Sequence, residues 1–138
     1  MRVSVFRKSH FNAAHRLYRK DWTEEKNNEV FGLCANPYYH GHNYNITVEV
    51  NGPINPETGY VIDLKDLKQI IREEVEDRYD HKNLNEQCPE FENKIPTAEN
   101  IVVEIWQRLR SRLDAKHTLF VTLYETERNF VKFDGNGL

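Results

Sequence analysis

Cysteine is nearly absent from this chain. Two thiols, Cys34 and Cys88, stand far apart in 138 residues and in unlike surroundings, which argues against a disulfide and for a reducing, cytoplasmic setting. Glycine and proline are sparse as well, at 6 and 5 residues. No repeat, low-complexity stretch or linker interrupts the chain, so a single domain is expected over residues 1–138. Long apolar runs are missing: none approaches the ~20 residues that cross a bilayer, so no membrane partner is expected. The segment Met1 to Lys8 is too charged for the core of a signal peptide. Excess positive charge is missing too. Against 22 acidic residues stand 19 basic ones, a net charge of −3, and this gives no electrostatic ground for nucleic acid as a partner.

What is present alternates. Residues 2–15 mix β-branched, aromatic and polar side chains without a helical stripe. They read as one long strand or two short ones, with Val3, Val5, Phe11, Ala13 and His15 on one face unless a bulge breaks the parity. Asp21 followed by Glu24 predicts a helix start, and Gly32 its end. Residues 33–39 read as a loop. From His40 to Val50, even positions are apolar or histidine and odd ones polar, the pattern of a half-buried antiparallel strand. Asp63 caps a helix with the stripe Leu64, Leu67, Ile71 and Val75, and Thr97 caps another with Ile101, Ile105, Leu109 and Leu113 inward. Residues 80–96 read mostly as loop. Leu119, Val121, Leu123 and Glu125 alternate with Phe120, Thr122, Tyr124 and Thr126, and a final strand covers 130–133. The order ββααββ predicts an α+β fold: a four-stranded antiparallel sheet with two long helices packed on one face.

The chemistry concentrates at His40-Gly41-His42. Two histidines two apart on a strand project from the same face and can share a cation; the alternative is a hydrogen-bonded pair without metal. His15 ends the neighbouring strand on the inward parity and is the best third ligand. His10 falls on the other face, and His117 lacks such a context. Three neutral imidazoles suit Zn2+ and leave its fourth position open, as catalysis needs. The rival is a closed structural site with Cys34 as fourth ligand. A thiol beside a dication and histidines is otherwise a usable base or nucleophile. Asp80-His81 could form a proton relay if a turn aims both side chains alike. Glu125 either continues the inward parity, where a heterocycle with two adjacent N–H donors would satisfy its carboxylate, or ends the strand facing water.

These residues resemble the 6-pyruvoyl-tetrahydropterin synthases and the related 6-carboxy-tetrahydropterin synthases. The resemblance runs along nearly the whole chain, through Phe11-Asn12-Ala13-Ala14-His15, Phe31-Gly32-Leu33-Cys34, His40-Gly41-His42-Asn43-Tyr44, Thr58-Gly59-Tyr60, Asp80-His81-Lys82-Asn83-Leu84-Asn85, Pro96-Thr97-Ala98-Glu99 and Tyr124-Glu125-Thr126. It implies zinc ligands His15, His40 and His42, a catalytic Cys34 with an Asp80–His81 relay, a pterin anchored by Glu125, and a pocket that includes Thr97 and Glu99. It implies the tunnelling fold (T-fold), a homohexamer built as a dimer of trimers with active sites between subunits, and the small-molecule substrate 7,8-dihydroneopterin triphosphate. The five residues between Cys34 and His40 look like the pyruvoyl-forming type, whereas the carboxy-forming type, which releases acetaldehyde in queuosine synthesis, typically has three. A structural zinc domain, or a pterin-binding protein without catalysis, is the alternative from outside enzymology.

Overall fold

A computed structural model describes all 138 residues. Strand β1, Arg2–His15, runs unbroken and pairs antiparallel with β2, His40–Pro53. The register holds residue for residue from Arg2 opposite Pro53 to His15 opposite His40. No bulge intervenes, so odd positions of β1 and even positions of β2 keep to one face throughout. Phe11, Ala13 and His15 are buried there, with Tyr44, Ile46, Val48 and Val50 beside them, while His10 faces outward.

Helix α1, Glu24–Phe31, connects the two strands. Its cap is Thr23, whose side chain accepts from the Lys26 amide, and not Asp21, which is occupied by Arg19. Gly32 ends the helix at φ 59, a left-handed conformation that costs glycine little. It opens a 3₁₀ turn, Gly32–Ala35, inside the stretch that reads as plain loop.

Asp63 caps α2, Leu64–Ile71, as its position predicts. The helix then widens into a π turn, Arg72–Glu76, and closes with α3, Asp77–Tyr79. Leu67, Ile71, Val75 and Tyr79 are all fully buried. Residues four apart drift by roughly 40° per step around an ideal α-helix; the wider π turn absorbs that drift and keeps all four on the sheet.

The region 80–96 departs from the loop expectation. Lys82–Asn83 forms β3, parallel to β1 at Ala13 and Ala14, followed by α4, Leu84–Gln87, and a 3₁₀ turn, Pro89–Phe91. The sheet therefore has five strands in the order β3-β1-β2-β4-β5 and is mixed, where four antiparallel strands were expected. Two residues are too few to show an alternation. What draws them to the sheet is the free edge of β1: the His81 amide donates to the Asn12 carbonyl at 2.6 Å, and the Asn12 amide donates to Asp80 Oδ1 at 2.9 Å.

Helix α5, Ala98–Arg110, starts at its Thr97 cap and buries Ile101, Val102, Ile105 and Leu109. It lies on β4, Thr118–Tyr124, where Trp106 Nε1 donates to the Leu119 carbonyl at 2.9 Å. Strand β5, Phe130–Phe133, forms the far edge. Side chains from β1, β2, β4, α2 and α5 belong to one core cluster, so the long helices share one face of the sheet. No helix is long and apolar enough to cross a membrane.

Candidate metal centre and adjoining cleft

Strand pairing alone brings the three histidines together. His15 lies opposite His40 in the β1–β2 register, and His42 follows two residues on, opposite the small Ala13. Their ligand nitrogens all lie within 4.8 Å of one another. Ring centroids are 4.5 Å apart for His15 and His40, 5.1 Å for His15 and His42, and 5.0 Å for His40 and His42. No hydrogen bond joins the rings. His15 Nε2, both ring nitrogens of His40 and His42 Nε2 are buried without partners, which is costly unless something else satisfies them. A cation held by three neutral imidazoles would satisfy His15 Nε2, His42 Nε2 and one of the two His40 nitrogens, and the donor set fits a metal ion.

His15 is the best oriented of the three. Its Nδ1 donates to the Pro96 carbonyl at 2.8 Å and lies 3.2 Å from the Tyr44 hydroxyl. That fixes the tautomer and turns a bare Nε2 toward the other two rings. Burial lowers the His15 pKa to about 4 and lowers that of His40 as well, holding both in the neutral, ligating form. Neither Pro96 nor Tyr44 stands out in the sequence as a functional residue. Tyr44 could have been found, since it continues the inward parity of His40 and His42; a backbone carbonyl from the α5 approach leaves no sequence signal. Tyr44→Phe is expected to weaken metal binding no more than about tenfold, the low end for an orienting partner, because Pro96 keeps its bond to Nδ1. Metal titration of the stripped protein measures this.

Cys34 lies on the 3₁₀ turn, half-buried, and its thiol is not among the clustered donor atoms. A four-ligand closed site is therefore not what the side chains form. The Leu17 amide holds the Cys34 carbonyl at 2.8 Å, tying the turn to the end of β1.

Glu125 keeps the inward parity of β4. The strand ends just before it, at Tyr124, but its carboxylate is about a quarter exposed and stands 3.9 Å from His42 Nε2, so it is turned toward the histidines and not to open water. It lines a cleft of about 390 Å³ together with Thr97, Glu99, Leu17 and Asn129. Glu125 thus meets Thr97 and Glu99, more than twenty residues earlier in the chain, in one cleft beside the histidines. A larger cleft, about 590 Å³, shares only Thr97 with this set.

A sequence model of the 6-pyruvoyl tetrahydropterin synthase family matches residues 4–136. The chain belongs to that family. It is 43% identical over 133 residues to the 6-pyruvoyl tetrahydrobiopterin synthase of Pongo abelii, covering 96% of this chain and 92% of the relative. The human protein of that name is 42% identical over the same share of each chain. Among solved structures, the 6-pyruvoyl tetrahydropterin synthase of Caenorhabditis elegans superposes with a TM-score of 0.92 at 33% identity, over 99% of this chain and 97% of that one. The Plasmodium vivax enzyme, at 21% identity and a TM-score of 0.70, shares the fold.

In this member of the 6-pyruvoyl tetrahydropterin synthase family, Asp80 and His81 do meet each other. His81 Nδ1 is 3.0 Å from Asp80 Oδ2, and the Asn12 amide lowers the Asp80 pKa by donating to its carboxylate. His81 adopts φ 59, the left-handed turn that aims both side chains alike. Neither belongs to the histidine cluster, and the His81 side chain is 83% exposed.

Proposed function

We propose that this chain is a zinc-dependent lyase that converts 7,8-dihydroneopterin triphosphate into 6-pyruvoyl-tetrahydropterin with elimination of triphosphate. The observation that carries the reading is the convergence of three histidines with unpartnered ring nitrogens beside a cleft containing Thr97, Glu99 and Glu125. Family membership supplies the reaction class, and the five-residue spacer between Cys34 and His40 favours the pyruvoyl product.

His15, His40 and His42 would hold zinc, whose Lewis acidity toward the substrate's side-chain hydroxyls makes the neighbouring C–H bonds more acidic. The remaining work falls to protein groups. Glu125 accepts two N–H donors of the pterin ring and fixes its orientation, with Thr97 and Glu99 lining the same cleft. Cys34, as thiolate, removes a side-chain proton, and His81, oriented by Asp80, carries protons on the other side. The exposure of His81 and its separation from the cluster within one chain support a relay lent by a neighbouring subunit of a homohexamer. Triphosphate leaves with its bonding electrons, and tautomerisation redistributes hydrogen within the substrate, so no external redox cofactor is consumed.

Incubation of purified protein with dihydroneopterin triphosphate, followed by mass analysis, tests this directly. Triphosphate and the pyruvoyl product are expected, without acetaldehyde. Acetaldehyde with a carboxy product would replace the reaction, and absence of triphosphate release would end the enzyme reading.

A further inference from the structure

The five residues from Ala35 to Tyr39 are fastened at both ends to one short helix. At the near end, Arg16 Nε donates to the Ala35 carbonyl at 2.8 Å. Arg16 is itself gripped by Asn85 of α4: its amide donates to Asn85 Oδ1 at 2.8 Å, and Asn85 Nδ2 donates to the Arg16 carbonyl at 2.9 Å. Its guanidinium lies over the Tyr18 ring, 3.8 Å from the centroid. At the far end, the Tyr39 hydroxyl donates to Glu86, the next residue of α4.

Tyr39 is also one of only two non-glycine residues with positive φ, at 69°. A side chain with a β-carbon resists that conformation. The Tyr39 amide closes the turn onto the Asn36 carbonyl at 3.0 Å, and the phenol bond anchors the turn's outer end. The strained residue immediately precedes His40, where the loop becomes strand β2. Strain kept at such a junction needs surroundings that hold it in place, and α4 provides them.

We propose that Asn85 and Glu86 are the positioning residues of the Cys34 thiol. Acting through Arg16 and Tyr39, they hold both ends of the spacer and so set how far the thiol reaches over the metal centre. The inference deepens the proposed lyase reading and rests on Cys34 as its base. It gives the spacer a physical role: its length matters because both of its ends are fixed.

Tyr39→Phe and Glu86→Ala each remove the far anchor. Both are expected to lower kcat about fivefold to tenfold, the factor a lost hydrogen bond of ordinary strength implies, with KM unchanged within about twofold and zinc content intact. Glu86→Gln, which keeps an acceptor for the phenol, should retain most activity. Iodoacetamide labelling of Cys34, followed by mass spectrometry with buried Cys88 as internal control, should accelerate by a similar factor in the first two variants and not in Glu86→Gln. Wild-type kcat and labelling rate in Tyr39→Phe and Glu86→Ala would overturn the proposal. Loss of zinc in step with kcat would overturn it too, moving the role to His40. If the wild-type protein shows no turnover at all, the lyase reading fails separately, and the labelling rates alone decide the positioning claim.

Discussion

Cys34→Ala is expected to fold, keep its zinc and turn over about a hundredfold to ten-thousandfold more slowly, the range a positioned general base contributes. The geometry separates this outcome from that of a ligand. The thiol is outside the clustered donors, so its removal leaves all three imidazoles in place. The turn that carries it is held through the backbone, by the Leu17 amide on the Cys34 carbonyl, and that bond survives truncation. The thiol is also only partly buried, so the cost in stability should stay below about 1 kcal/mol. Zinc stoichiometry, thermal unfolding and turnover on one preparation check all three statements. Metal and stability falling together would make Cys34 a fourth ligand and the site structural.

His15→Ala should do what Cys34→Ala does not. His15 is fully buried, and its loss removes one ligand, opens a cavity and takes the donor from the Pro96 carbonyl. Zinc binding and turnover should both fall to background. Stability without metal should also drop by about 2–4 kcal/mol, the sum expected for a buried cavity and an orphaned polar group. His42→Ala provides the contrast, because its side chain is 20% exposed: metal is lost, with a smaller loss in the stripped protein. Zinc should raise the unfolding temperature of wild type, since a ligand that binds only the folded state stabilises it, and should leave His15→Ala unmoved. Retention of full metal occupancy in His15→Ala would remove it from the ligand set.

Much of the metal centre is legible in the sequence because a strand has a period of two. Parity alone places His15, His40 and His42 inward and His10 outward, and the unbroken β1–β2 register preserves it. The Asp63 and Thr97 caps are legible for a similar reason: each satisfies backbone donors within its own first turn. Asp21 misleads because Arg19 engages its carboxylate, leaving the cap to Thr23. Strand β3 is illegible at two residues, as it exists only by pairing with a distant edge. The π turn and the Pro96 carbonyl on His15 also come from packing between remote segments. Glu125 shows itself by parity, whereas its meeting with Thr97 and Glu99 depends on how the β4–β5 hairpin and α5 come together.

The residue-for-residue pairing of β1 with β2 restricts which insertions and deletions this chain can tolerate. Removing one residue between Val3 and Ala14 would turn either His15 or the apolar half of β1 to the opposite face, unless a new bulge absorbed the change. Two residues could be removed without changing sides, because the part of β1 before the deletion would slide two places along β2 while His15 stayed opposite His40. The metal centre thus serves as a parity gauge for the first strand pair, and natural variation in chain length is expected to gather in the turns, such as residues 54–60, that lie outside it.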